Sequence, residues 1–76
     1  MQVKQRQLEV FEAILAAGSI SRAASQLNIS QPAVSIALAN LEELCRFKLF
    51  KRDRGFFAPT REALLLQDEI AQGLLA

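Results

Sequence analysis

Residues 19–44, SISRAASQLNISQPAVSIALANLEEL, constrain the fold more than any other stretch, because they hold two helix signals separated by a tight polar turn. In the first, Arg22, Ala23 and Ala24 lead to Leu27, with Ser19 or Ser21 placed to cap the orphan N–H groups of the opening turn. Asn28, Ile29 and Ser30 then reverse the chain, and Ser30 caps a second helix whose first turn contains Pro32, where a missing N–H leaves no bond unmade. Val34, Leu38, Leu41 and Cys45 recur at helical spacing and define an inward face. Helices joined by so short a turn cross steeply and close together, which the small Ala23 and Ala24 permit. This is the pattern of a helix-turn-helix.

The outward face of the second helix carries Gln31, Ala33, Ser35, Ile36, Ala39 and Asn40, all short or uncharged. A helix that must approach base edges in a DNA major groove needs such a face. An alanine-rich helical hairpin with no ligand is the competing reading, and the distribution of charge bears on the choice. The net charge is only +1, but residues 46–61 hold six basic side chains (Arg46, Lys48, Lys51, Arg52, Arg54, Arg61) against Asp53 alone, a local balance of +5. Such a patch attracts phosphates whatever the global sum.

The flanking segments supply a frame. Leu8, Phe11, Ile14 and Leu15 predict a scaffold helix from about Lys4 to Ala17, ended by Gly18 in a left-handed conformation, with Phe11 and Ile14 closing the core against Leu27 and Leu38. Lys4 and Arg6 at its start have two readings, a phosphate contact and, preferred, a solvated helix end. Aromatic-rich runs at 47–50 and 56–59 predict a hairpin around a turn at 51–55, with Phe50 and Phe57 packed beneath it. Hung on a helix-turn-helix, that hairpin is a wing whose basic tip can reach the DNA backbone or minor groove, the competing reading being an ordinary solvated charged turn.

From Thr60, a plausible N-cap with Glu62 in the first turn, the pattern is helical again and unusually apolar. Positions 63, 66, 70 and 74 fall on one side and 64, 71 and 75 on another, more than a small domain can cover. A second copy of the helix is the simplest partner, and Leu64, Leu66, Ile70 and Leu74 are the expected dimer contacts. Seventy-six residues support only a marginal core, which also favours association.

The chain has no His and a single cysteine, Cys45, so proton-shuttle and thiolate-metal chemistry have no basis, and Gly18, Gly55 and Gly73 are too dispersed to cradle phosphate. The expectations are a non-enzyme with no cofactor or metal and a buried, structural Cys45. With no apolar run near the ~20 residues of a membrane span and no signal-peptide core after Met1, a cytoplasmic location is expected.

Taken together, GSISRAASQLNISQPAVS, LANLEELCRFKLFKRDRG and PTREAL resemble the N-terminal DNA-binding domain of LysR-type bacterial transcriptional regulators, over nearly all 76 positions. The resemblance implies a mainly α fold: a winged helix-turn-helix (three-helix core plus small hairpin wing) over residues 1–59 and a long linker helix for dimerisation over 60–76. It also implies an effector-binding domain after Ala76, so the chain is expected to be a fragment, its apolar pattern running to the end without a cap. Carried over residue by residue, Gln31, Pro32, Ser35 and Ile36 become base-facing candidates, joined by Ala33 from the same face. Ser21, Arg22, Ser30, Lys51, Arg52 and Arg54 become backbone candidates.

Two departures matter: the family very often has arginine at the positions of Ile36 and Asn40, and usually glycine at that of Arg46. The expected function is therefore sequence-specific binding of double-stranded DNA at an inverted repeat. A homodimer would do this with residues 31–44 in the major groove, a tetramer being a further assembly of the whole protein, and a small-molecule effector would act only through the domain absent here. The alternative is a helical protein-interaction module acting through the apolar C-terminal helix.

Overall fold

The computed structural model describes residues 2–74, which form four helices and a two-stranded hairpin: α1 (Gln5–Ala17), α2 (Ile20–Leu27), α3 (Gln31–Cys45), β1 (Phe50–Asp53), β2 (Phe56–Pro59) and α4 (Arg61–Ala71). This is a winged helix-turn-helix followed by a further helix. None of the helices among the described residues is long and apolar enough to cross a membrane.

The local signals act where the residue types place them. The Gln7 side-chain oxygen accepts from the Lys4 N–H at 2.9 Å to start α1. Gly18, at φ 78°, ends it with its N–H on the Ile14 carbonyl. Of the two serines that could cap α2, it is Ser19 that accepts from the Arg22 N–H, at 3.1 Å. Asn28 makes the turn at φ 59°, a left-handed conformation that asparagine tolerates better than most side chains. Ser30 accepts from the Ala33 N–H at 3.2 Å, fixing the start of α3.

Phe11, Ile14, Val10, Val34, Leu41 and Leu49 are the largest fully buried side chains, and Ala23 and Ala24 are buried among them, so α2 lies close against its neighbours. Leu38 is in this core, while Leu27 packs at its edge. The wing is seated through aromatic rings: Phe11 meets Phe50 at 5.7 Å between centroids, and Phe50 stacks on Phe57 at 5.9 Å. It is also tied by backbone. The Phe57 N–H donates to the Gly18 carbonyl at 3.2 Å, which pins β2 to the corner between α1 and α2. Glu42 of α3 accepts from the Leu49 N–H at 2.8 Å and pairs with Lys48 at 3.8 Å, anchoring the approach to β1. Thr60 donates to the Lys48 carbonyl at 2.7 Å and accepts from the Ala63 N–H, joining the wing to the start of α4.

Four features differ from the sequence reading. The first strand begins at Phe50 rather than Phe47, so Lys51 and Arg52 are strand residues and not turn residues. The register Lys51↔Ala58, Arg52↔Phe57, Asp53↔Phe56 leaves only Arg54 and Gly55 for the turn. Both have positive φ, as a two-residue turn matched to the twist of a hairpin requires. Leu49 and Phe50 are drawn into the core and set that register, whereas Phe47 is 39% exposed.

The second difference lies in α4, where Leu66 is 4% exposed and belongs to the domain's own core beside Ala63, with Ile70 half-buried against it. Leu66 is therefore not free for a partner chain. The helix also has an end: Gly73, at φ 77°, and Leu74 return their N–H groups to Ile70 and Glu69, closing it after Ala71. Leu75, which the sequence pattern placed on a continuing helix, lies outside the described residues.

Thirdly, Arg46 occupies the left-handed C-cap of α3 at φ 64°, a conformation costing a side chain ~1 kcal/mol and suited to the glycine that the family resemblance would put there. Lastly, Cys45 is half-buried rather than buried. Desolvation, with the nearby negative charges of Glu42 and Glu69, raises its thiol pKa, which disfavours the reactive thiolate.

Candidate nucleic-acid interface

The caps at Ser19 and Ser30 bring the first turns of α2 and α3 to one side of the molecule, and the Phe57–Gly18 bond brings the wing to the same side. A cleft of about 200 Å³ results, lined by Gly18, Ser19, Ile20 and Ser21 from the start of α2, Gln31 from α3, and Arg52, Gly55 and Phe57 from the wing. The sequence-derived candidates Ser21, Gln31 and Arg52 thus meet although they are separated along the chain.

The Arg52 guanidinium lies 5.1 Å from the centroid of the Phe57 ring, its partner in the strand register. Stacking of this kind restrains a long side chain without consuming its charge. Lys51, the next residue along the strand, alternates to the other face of the hairpin and is absent from the cleft lining. Arg54 stands at the turn. The three wing cations therefore splay over the hairpin rather than converging on one point. Among the described residues none of Arg22, Lys51, Arg52 or Arg54 has a carboxylate within ion-pairing distance, so their charges remain available to an anion.

On α3, Gln31, Pro32, Ser35 and Ile36 are exposed, Ile36 to 61%, and with Ala39 they form a continuous outward strip. Ala33 is half-buried at the margin of that strip. Ser30 is exposed, and with its oxygen already accepting the Ala33 N–H it retains its hydroxyl hydrogen as a donor. An uncharged strip of amide, hydroxyl and methyl groups can read base edges but cannot neutralise phosphate. The cations around it can supply that neutralisation. Sequence reasoning missed the part that Gly18 and Ile20 play in lining the cleft, because the Phe57–Gly18 bond beside it joins residues far apart in the chain.

Comparison with known proteins bears on the family and the fold. Residues 5–64 match the family model described as bacterial regulatory helix-turn-helix protein, lysR family. The HTH-type transcriptional regulator AdmX of Serratia plymuthica is 53% identical over 72 residues, covering 95% of this chain and 23% of that protein. The transcriptional activator protein LysR of Escherichia coli strain K12 is 44% identical over 68 residues, covering 90% of this chain and 22% of that protein. The chain thus spans less than a quarter of the length of these relatives. A crystal structure of a BenM_DBD complex with catB site 1 DNA superposes with a TM-score of 0.83 at 30% identity, covering 97% of this chain and 81% of that one.

Proposed function

This chain belongs to the lysR family of bacterial regulatory helix-turn-helix proteins and is a DNA-binding domain of that family, and on that premise we propose that it reads an operator through α3 while its flanking cations hold the backbone. The observation that carries the assignment of roles is the separation of chemistry around α3, with an uncharged exposed strip on the helix and unpaired cations on the elements beside it. Gln31 is the principal reader, since its amide can both donate to and accept from adenine. Ala33 and Ile36 offer methyl groups to thymine, and Pro32 and Ser35 complete the strip. Ser21, Arg22, Ser30, Lys51, Arg52 and Arg54 contact phosphates. An operator rich in A and T follows.

Gln31→Ala is expected to remove ~1 to 3 kcal/mol from binding to the operator, with little change on random duplex DNA. Titration of both variants against both DNAs checks it, and an equal loss on the two DNAs would remove Gln31 from the base-reading set.

The domain would act as a two-fold dimer, which suits inverted half-sites. Its support is the apolar surface that the domain leaves uncovered: Leu64 and Leu65 on α4 are 52% and 56% exposed and Leu74, just past its end, 67%. That surface also favours the second reading, a helical module docking on another protein. A second copy is the more economical occupant because the same contact doubles the DNA-binding surface. Residues 1–59 would then be the DNA-binding unit and 60–76 the linker, in the cytoplasm. Response to a small-molecule effector would require a further domain of the whole regulator.

A further inference from the structure

We infer that Lys4 and Arg6, at the start of α1, are a second phosphate clamp, holding the DNA strand on the side of α3 away from the wing; this rests on the DNA-binding reading above. Lys4, Arg6 and Gln7 line one groove with Ala33, Ile36, Ala37 and Asn40 of α3. At roughly 100° per residue, Ala33, Ala37 and Asn40 lie about 180 to 240° round the helix from Gln31, which lines the wing-side cleft. The exposed strip through Pro32, Ser35 and Ile36 runs between these two flanks.

A helix about 10 to 12 Å across fills a major groove about 12 Å wide, so it has a sugar-phosphate strand along each side. The wing supplies cations for one strand. For the other, α3 itself offers nothing, since none of its residues from Gln31 to Cys45 is basic, and the two cations that line that flank come from the start of α1. Lys4 has no acidic partner among the described residues. Arg6 pairs with Glu9 at 3.7 Å, but both side chains are about half exposed, a surface pair too weak to compete with a phosphate.

The test is the salt dependence of binding to a short random-sequence duplex, measured by fluorescence anisotropy for the 76-residue chain, for Lys4→Gln with Arg6→Gln, and for Lys4→Arg with Arg6→Lys. The cap on α1 uses the Lys4 backbone N–H, which all three keep, and circular dichroism verifies equal helicity. The slope of log affinity against log salt should fall by roughly 0.9 per lost contact, about 1.8 in the Gln pair, and return to the parent value in the charge-conserving pair. A parent-like slope in the Gln pair, or a loss that the conserved charges do not restore, overturns the clamp and leaves the proposed function standing. A parent chain that binds no duplex at any salt overturns both.

Discussion

Leu66→Glu is expected to unfold the domain rather than to release a folded monomer. Leu66 is 4% exposed and sits in the core with Ala63, Leu49 and Phe50. Replacing it removes a buried side chain and puts a carboxylate among the apolar side chains of that core, a combined cost of at least about 4 kcal/mol. A domain of this size has about 4 to 11 kcal/mol in all. The contrast is Leu64→Glu with Leu65→Glu, on exposed positions of the same helix, where the cost to the fold should stay under about 1 kcal/mol. That pair should sediment as a monomer, with normal helical signal, at concentrations where the parent sediments as a dimer. Thermal melts and sedimentation of both variants decide: a parent-like melting temperature for Leu66→Glu contradicts the core assignment, and a persistent dimer for the exposed pair moves the interface off α4.

Removing Lys51, Arg52 and Arg54 together, each to alanine, should have the largest effect on DNA affinity. None has an acidic partner among the described residues, so their loss relieves no internal pairing and leaves the hydrogen bonds of the hairpin in place. If each neutralises one phosphate, the salt slope drops by roughly 2.7, and raising salt fourfold weakens the parent about 40-fold more than the variant. Because the three side chains splay over two faces and the turn, single variants should divide that slope rather than one residue carrying it. A triple variant with the parent's slope would show that the wing stays clear of DNA.

Much of this molecule was legible in its sequence because the informative signals are local. Ser30 followed by Pro32, Asn28 at the turn, Gly18 past an apolar periodicity and Thr60 before Glu62 each act within one helical turn, and each is found doing what its chemistry allows. What was not legible depended on contacts between distant segments. The strand register follows from Leu49 and Phe50 being drawn into a core built by α1 and α3, which the composition of residues 47–55 does not encode. The two apolar sides of α4 looked equivalent in sequence, and only the position of the helix against the wing and core decides that Leu66 is covered while Leu64 and Leu65 are not. In the interface the same division holds. That Gln31, Ser35 and Ile36 lie on an exposed face was readable from the helix periodicity alone, whereas the groove that Lys4 and Arg6 share with α3 exists only once α1 and α3 are packed together.

The most direct test of the central claim is the ratio of affinities of this chain for the duplex upstream of its own gene and for a scrambled duplex of the same composition, at physiological salt. Base reading by α3 predicts a preference of roughly a thousandfold or more, the lower range for specific DNA-binding proteins. Equal affinity for the two would leave only the sequence-independent grip of the cations and contradict the assignment of α3 as a reader of bases.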